Sequence, residues 1–119
     1  MEVIQFEARR VETWLEDGVQ HVTWAASDHP DAERFSLQRD TTDPGASYYC
    51  ERSDQDQGCY GGIAQLHLTR TQLLVWLTPK GSDRLGCDLI MLHVSVSEAR
   101  YAELRATMQR VLAGTGLIE

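Results

Sequence analysis

The chain has 119 residues, 42% apolar and 24% charged, with 18 acids against 11 bases and a formal charge of −7. That length corresponds to one domain with a core of its own, and the composition is not that of a disordered protein. The acidity argues against a nucleic-acid binder, no apolar run is long enough to span a bilayer, and no signal peptide precedes the first strand. A cytoplasmic protein with reduced thiols is the expectation. The charge is uneven: residues 1–60 hold thirteen acids and five bases, residues 61–119 five acids and six bases. The acidic half is either a solubilising surface or a face for a basic partner.

Residues 2–12 alternate, with Ile4, Phe6 and Ala8 on one side, and predict a half-buried strand. Glu16-Asp17-Gly18 is a turn signal. A second strand follows over 19–26, with Val22, Trp24 and Ala26 in line. After a polar loop over 27–33, a third covers 34–39 with Phe35 and Leu37 inward. Asp43-Pro44-Gly45 marks the next loop through fixed φ followed by a permissive glycine. Residues 47–53 form strand four, 54–58 its hairpin connection, and 59–68 strand five, with Gly61-Gly62 inside it.

Strand six covers 72–78. Leu73, Val75 and Leu77 share its core face, and Leu74 and Trp76 share the other. Thr78-Pro79 is a helix-start signal, with Gly86 as terminator, although Gly81 weakens the segment between them. Strand seven covers 88–96. Ser97 then caps a helix whose Tyr101, Leu104, Met108, Val111 and Leu112 fall on one stripe, and Gly114 ends it. The expected fold is α+β: a single domain over 1–119, with a mainly antiparallel sheet of about seven strands and one C-terminal amphipathic helix packed on it.

No arrangement of residues specifies chemistry. Cys50, Cys59, Cys87, His67 and His93 match no metal-ligand spacing. Cys50 and Cys59 flank a hairpin turn, where a cross-strand disulfide is geometrically open, but a reducing compartment favours free thiols. Cys87 and His93 share a strand face about 20 Å apart, too far to act as nucleophile and base. Tyr60-Gly61-Gly62-Ile63 lacks a phosphate-loop pattern, and glycines inside a strand more often mark a bulge or the close approach of another element. Asp54 and Asp56 read as a solvated turn. The outward Leu74 and Trp76 are either covered by another element, such as the N-terminal strands, or exposed as an interface anchor.

Taken together, FSLQR at 35–39, YYCE at 48–51, CYGGI at 59–63 and LLVWLTP at 73–79, followed by a glycine-ended turn, a strand and a helix, resemble the immunity protein 10 family of bacterial polymorphic toxin systems. The resemblance covers residues 35–112, and CYGGI is its most specific part. It implies a non-catalytic protein without metal or cofactor, which binds a cognate toxin domain in the producing cell and blocks it by steric occlusion. The expected partner is a basic protein domain rather than nucleic acid or membrane; the oligomeric state is open. The expected contacts are Asp54 and Asp56 on the hairpin connection, Tyr60 beside it, and Leu74 and Trp76 on strand six. A protein-binding or scaffold module unrelated to toxins is the alternative, and a small-ligand domain is a weaker one. The latter would need a pocket near Tyr60, Gly61 and His93.

Overall fold

The computed structural model describes residues 1–53 and 55–118, which form two sheets and two helices around one core. Strands β1 (Val3–Glu7), β9 (Leu89–His93), β8 (Gln72–Leu77) and β7 (Ile63–Leu68) make a four-stranded sheet in that order. Strands β2 (Arg10–Glu16), β3 (Val19–Ala25), β4 (Arg34–Asp40), β5 (Tyr49–Arg52) and β6 (Gly58–Tyr60) make a five-stranded one. All pairings are antiparallel except β1 with β9. Helix α1 (Pro79–Leu85) links β8 to β9, α2 (Glu98–Val111) follows β9, and a single 3-10 turn (Gln55–Gln57) sits at the β5–β6 tip. Neither helix is long and apolar enough to cross a membrane.

The α+β class agrees with the sequence reading; the single sheet of about seven strands does not. Two of the expected strands are each divided between the sheets. The strand expected over 2–12 breaks at Ala8-Arg9. Its buried positions run Ile4, Phe6, Ala8 and then resume at Val11, so the alternation changes phase where the chain crosses to the other layer. The strand expected over 59–68 breaks at Gly61-Gly62, whose φ values of 71° and 93° belong to the left-handed region and cannot continue a strand. These glycines therefore carry the chain from β6 in one sheet to β7 in the other. A register shift between Ile63 and Gln65 moves the buried set from Ile63 to Leu66 and Leu68.

The inner faces meet in one apolar cluster. Leu73, Val75, Ile90 and Leu92 come from the four-stranded sheet, and Val22, Trp24, Phe35, Leu37, Cys50 and Cys59 from the five-stranded one. The stripe on α2 is buried as its spacing required, with Leu104, Met108, Val111 and Leu112 at most 1% exposed. Each such side chain contributes about 1.5–3 kcal/mol of gross burial energy, enough to hold the helix against the sheets. α2 ends at Val111, with Leu112 as its cap residue, before Gly114.

Two arginines turn inward and bind helix C-termini. Arg39 donates to the Val111 and Ala113 carbonyls at the end of α2, and Arg52 donates to the Leu85 carbonyl at the end of α1. Each places a cation at the negative end of a helix. Both belong to the acidic half, so that half presents fewer of its five bases to solvent than the sequence suggests.

The sheet crossing is pinned by Tyr48. Its phenol accepts the Ile63 backbone N–H at 3.0 Å in a buried setting, and its carbonyl accepts the Gly61 N–H. Tyr48→Phe leaves the Ile63 N–H without its partner and is expected to cost about 1–2 kcal/mol. The loss would be read as a lower urea midpoint at unchanged m-value.

Candidate partner-binding surface

The outer face of the five-stranded sheet is open to solvent from edge to edge. The Asp17-Gly18 turn, with both φ values positive, is a two-residue hairpin turn that sets Trp14 opposite His21. The pairings continue His21 to Gln38, Gln38 to Tyr49, and Tyr49 to Tyr60. Four aromatic rings and one amide thus form a single cross-strand row over five strands, roughly 19 Å long at sheet spacing. Trp14 stacks on His21 with centroids 4.7 Å apart and planes 3° from parallel, and Tyr49 meets Tyr60 at 5.1 Å and 60°. Trp14 is 39% exposed and Tyr60 64%.

The adjacent row carries the charge: Glu12, Thr23, Ser36, Glu51 and Gly58 lie opposite one another in turn. Arg10 pairs with both Glu12 and Asp28. Thr23 and Ser36 share a hydroxyl hydrogen bond of 2.9 Å. Tyr49 donates its phenol to Glu51 at 3.1 Å. Burial and the Glu51 carboxylate push the Tyr49 pKa up to about 12, so the phenol remains a donor at neutral pH. Open depressions of about 280, 280 and 520 Å³ follow the two rows across the sheet.

The expected contact residues are not all brought together. Tyr60 lies at the β6 end of the aromatic row. Asp56 lies exposed in the 3-10 turn at the neighbouring hairpin tip, and Asp54 lies outside the described residues. Leu74 and Trp76 occupy the outer face of the other sheet, on the far side of the core. There Leu74 sits between His67 and Met91, and Trp76 between Gln65 and Leu89. Val3 pairs with Leu89 at the edge of that patch, so β1 extends the face rather than covering it. Leu89 is 8% exposed yet belongs to this patch and not to the core cluster.

The structure also locates residues weighed for chemistry. Cys50 and Cys59 face each other across β5 and β6, buried and unlinked, with their thiols on the Gly61 and Tyr60 carbonyls. His93 is on the outer face of the four-stranded sheet beside Gln5, far from the depression at Tyr60, so Tyr60, Gly61 and His93 share no pocket. Among the described residues no group of three His, Cys, Asp or Glu side chains is placed to hold a metal ion.

Trp14, His21 and Tyr49 were missed as surface residues in the sequence. The two-residue turn at Asp17-Gly18 was sufficient to pair Trp14 with His21, but only the order of five strands aligns them with the tyrosines.

The exposed aromatic residues of this sheet face are of the kinds enriched at protein interfaces. The family model for immunity protein 10 matches residues 7–102, and the chain belongs to that family. It is thereby a member of a family of immunity proteins, generally non-catalytic and directed at toxin proteins. A search of curated proteins finds none that matches the chain.

Proposed function

We propose that the protein neutralises a cognate bacterial toxin domain in the cytoplasm of the producing cell, binding it through the outer face of the five-stranded sheet and occluding its active or substrate-binding surface. The observation that carries this reading is the aromatic row from Trp14 to Tyr60, exposed in a chain of the immunity protein 10 family. Tyrosine and tryptophan supply large contact area at little entropic cost, and such residues dominate interface energetics. The sheet that bears them comes from residues 10–60, within the acidic half, which suits a basic toxin surface through steering and complementarity. Asp56 would act at the margin of this face.

The test is co-purification with the product of the adjacent gene, together with growth rescue when both are expressed. Trp14→Ala and Tyr60→Ala are each expected to weaken binding by about 2 kcal/mol, roughly thirtyfold in Kd, and to reduce rescue while leaving the urea midpoint unchanged. Replacing Asp54 and Asp56 by asparagine should slow association and flatten its salt dependence. If Leu74→Ala and Trp76→Ala abolish binding while the first pair leaves it intact, the contact surface is the apolar patch on the other sheet. Failure to rescue against any neighbouring toxin would sink the immunity reading.

A further inference from the structure

One end of the aromatic row has a chemistry of its own. Gln38, Tyr49, Glu51 and Tyr60 line the depression of about 520 Å³ at the β6 edge. Tyr60 presents a largely exposed ring, and Tyr49 is tilted against it. Tyr49 reaches Glu51 by leaning across Gly58, where an added Cβ would stand 1.8 Å from the phenol oxygen. A glycine at 58 is therefore what allows this arrangement.

Glu51 takes the phenol on Oε1, and among the described residues no arginine, lysine or histidine forms an ion pair with it. Its counterpart Glu12, in the same row at the other edge, is already neutralised by Arg10. The nearby Lys80 ammonium is used on the Tyr60 carbonyl at 3.2 Å. The cleft thus offers an aromatic face, a half-buried carboxylate that lines the depression without an ion-pair partner among the described residues, and the Gln38 amide as a neutral acceptor.

We propose that this cleft is a guanidinium site that receives one arginine side chain of the docking partner, the planar cation stacked on Tyr60 and hydrogen-bonded to Glu51. The identity of the donor as a toxin rests on the immunity reading; the cleft's preference for arginine does not. Arginine fits better than lysine because its flat, weakly hydrated fork stacks on a ring and binds a carboxylate side-on at once, whereas an ammonium is a compact, strongly hydrated charge. Stacking over a tyrosine beside a carboxylate also combines two attractions that act on the same cation.

The experiment uses the intact chain and small probes, with no toxin present. N-acetyl-arginine amide is titrated at low salt while backbone amide resonances are followed, with N-acetyl-lysine amide and N-acetyl-citrulline amide in parallel. The expected result is saturable shifts centred on Gln38, Tyr49, Glu51 and Tyr60 with the arginine compound, weaker ones with lysine, and none with citrulline, which has the shape without the charge. Glu51→Gln should weaken the arginine response about tenfold. Tyr60→Phe should retain it and Tyr60→Ala should lose it, because the ring face is required and the hydroxyl is not. Equal responses to citrulline or lysine, a response left at full strength by Glu51→Gln, or no localised response overturns the guanidinium site. Arginine binding without toxin capture would overturn only the immunity reading, and toxin capture without arginine binding only the cleft.

Discussion

Gly81→Ala is expected to destabilise the protein by about 3 kcal/mol or more, and to leave a large unfolded fraction at physiological temperature if the native margin is small. A Cβ at position 81 would stand 2.2 Å from the Gly62 carbonyl oxygen, 3.0 Å from its carbon and 3.1 Å from its Cα. All three are backbone atoms, so no side chain can rotate away. The backbone they belong to is the link that carries the chain between the sheets, and it is held from several directions. The Gly62 carbonyl accepts both the N–H and the hydroxyl of Thr78, and the same hydroxyl accepts the Gly81 N–H to cap α1. Moving α1 outward to admit a methyl group would break that cap and expose Leu85 and Cys87, both now buried. The measurement is the urea midpoint against Gly45→Ala, whose nearest contact is the Asp43 side chain at 3.4 Å and which should stay within about 0.5 kcal/mol of wild type. Equal midpoints for Gly81→Ala and wild type would refute the close-packing account.

The second large effect is alkaline lability. The Cys50 thiol is pushed up to about 12 by burial, and by the Cys59 thiol opposite it. A raised folded-state pKa means that the native protein holds its proton where the unfolded chain, near 9, has released it. The stability associated with this group is therefore fully present below about pH 9 and is lost as pH rises towards about 12, at roughly 1.4 kcal/mol per pH unit. Tyr48 and Cys87 are raised by burial as well and act in the same direction. Urea midpoints measured at about pH 8, 9.5 and 11 should fall steadily for wild type, and Cys50→Ala should fall less steeply across the same window because that thiol no longer titrates. Parallel slopes for the two proteins would show that Cys50 does not govern the alkaline limb.

The capacity of this family member to block a toxin would depend on which of its two outer faces is offered. One is aromatic and lies within the acidic half; the other is apolar around Trp76, with polar groups at its edges. They point away from each other, so a single compact footprint takes one or the other. Comparing Trp14→Ala and Tyr60→Ala with Leu74→Ala and Trp76→Ala separates them without a structure of the complex.

Much of the local structure was written in the sequence. Thr78 and Pro79 start α1 and Gly86 ends it at the expected positions, because caps act over one turn of chain. The Asp17-Gly18 turn fixed the register of β2 on β3, since a two-residue hairpin leaves no freedom in pairing. The α2 stripe named its buried residues because a 3.6-residue period defines one face, and CYGGI and its flanking segments pointed to the family.

Only the tertiary structure decided how the strands are shared between layers. Alternation tells which side of a strand is buried, but not which sheet the strand joins, because both inner faces are equally apolar. The switches at Ala8-Arg9 and Gly61-Gly62 put Tyr60 on one outer face and Trp76 on the other, though the sequence places them sixteen residues apart. The row from Trp14 to Tyr60 likewise exists only through four successive strand pairings, of which the Asp17-Gly18 turn sets just the first. Local propensity determined the pieces of this protein, and non-local packing determined the surface it presents.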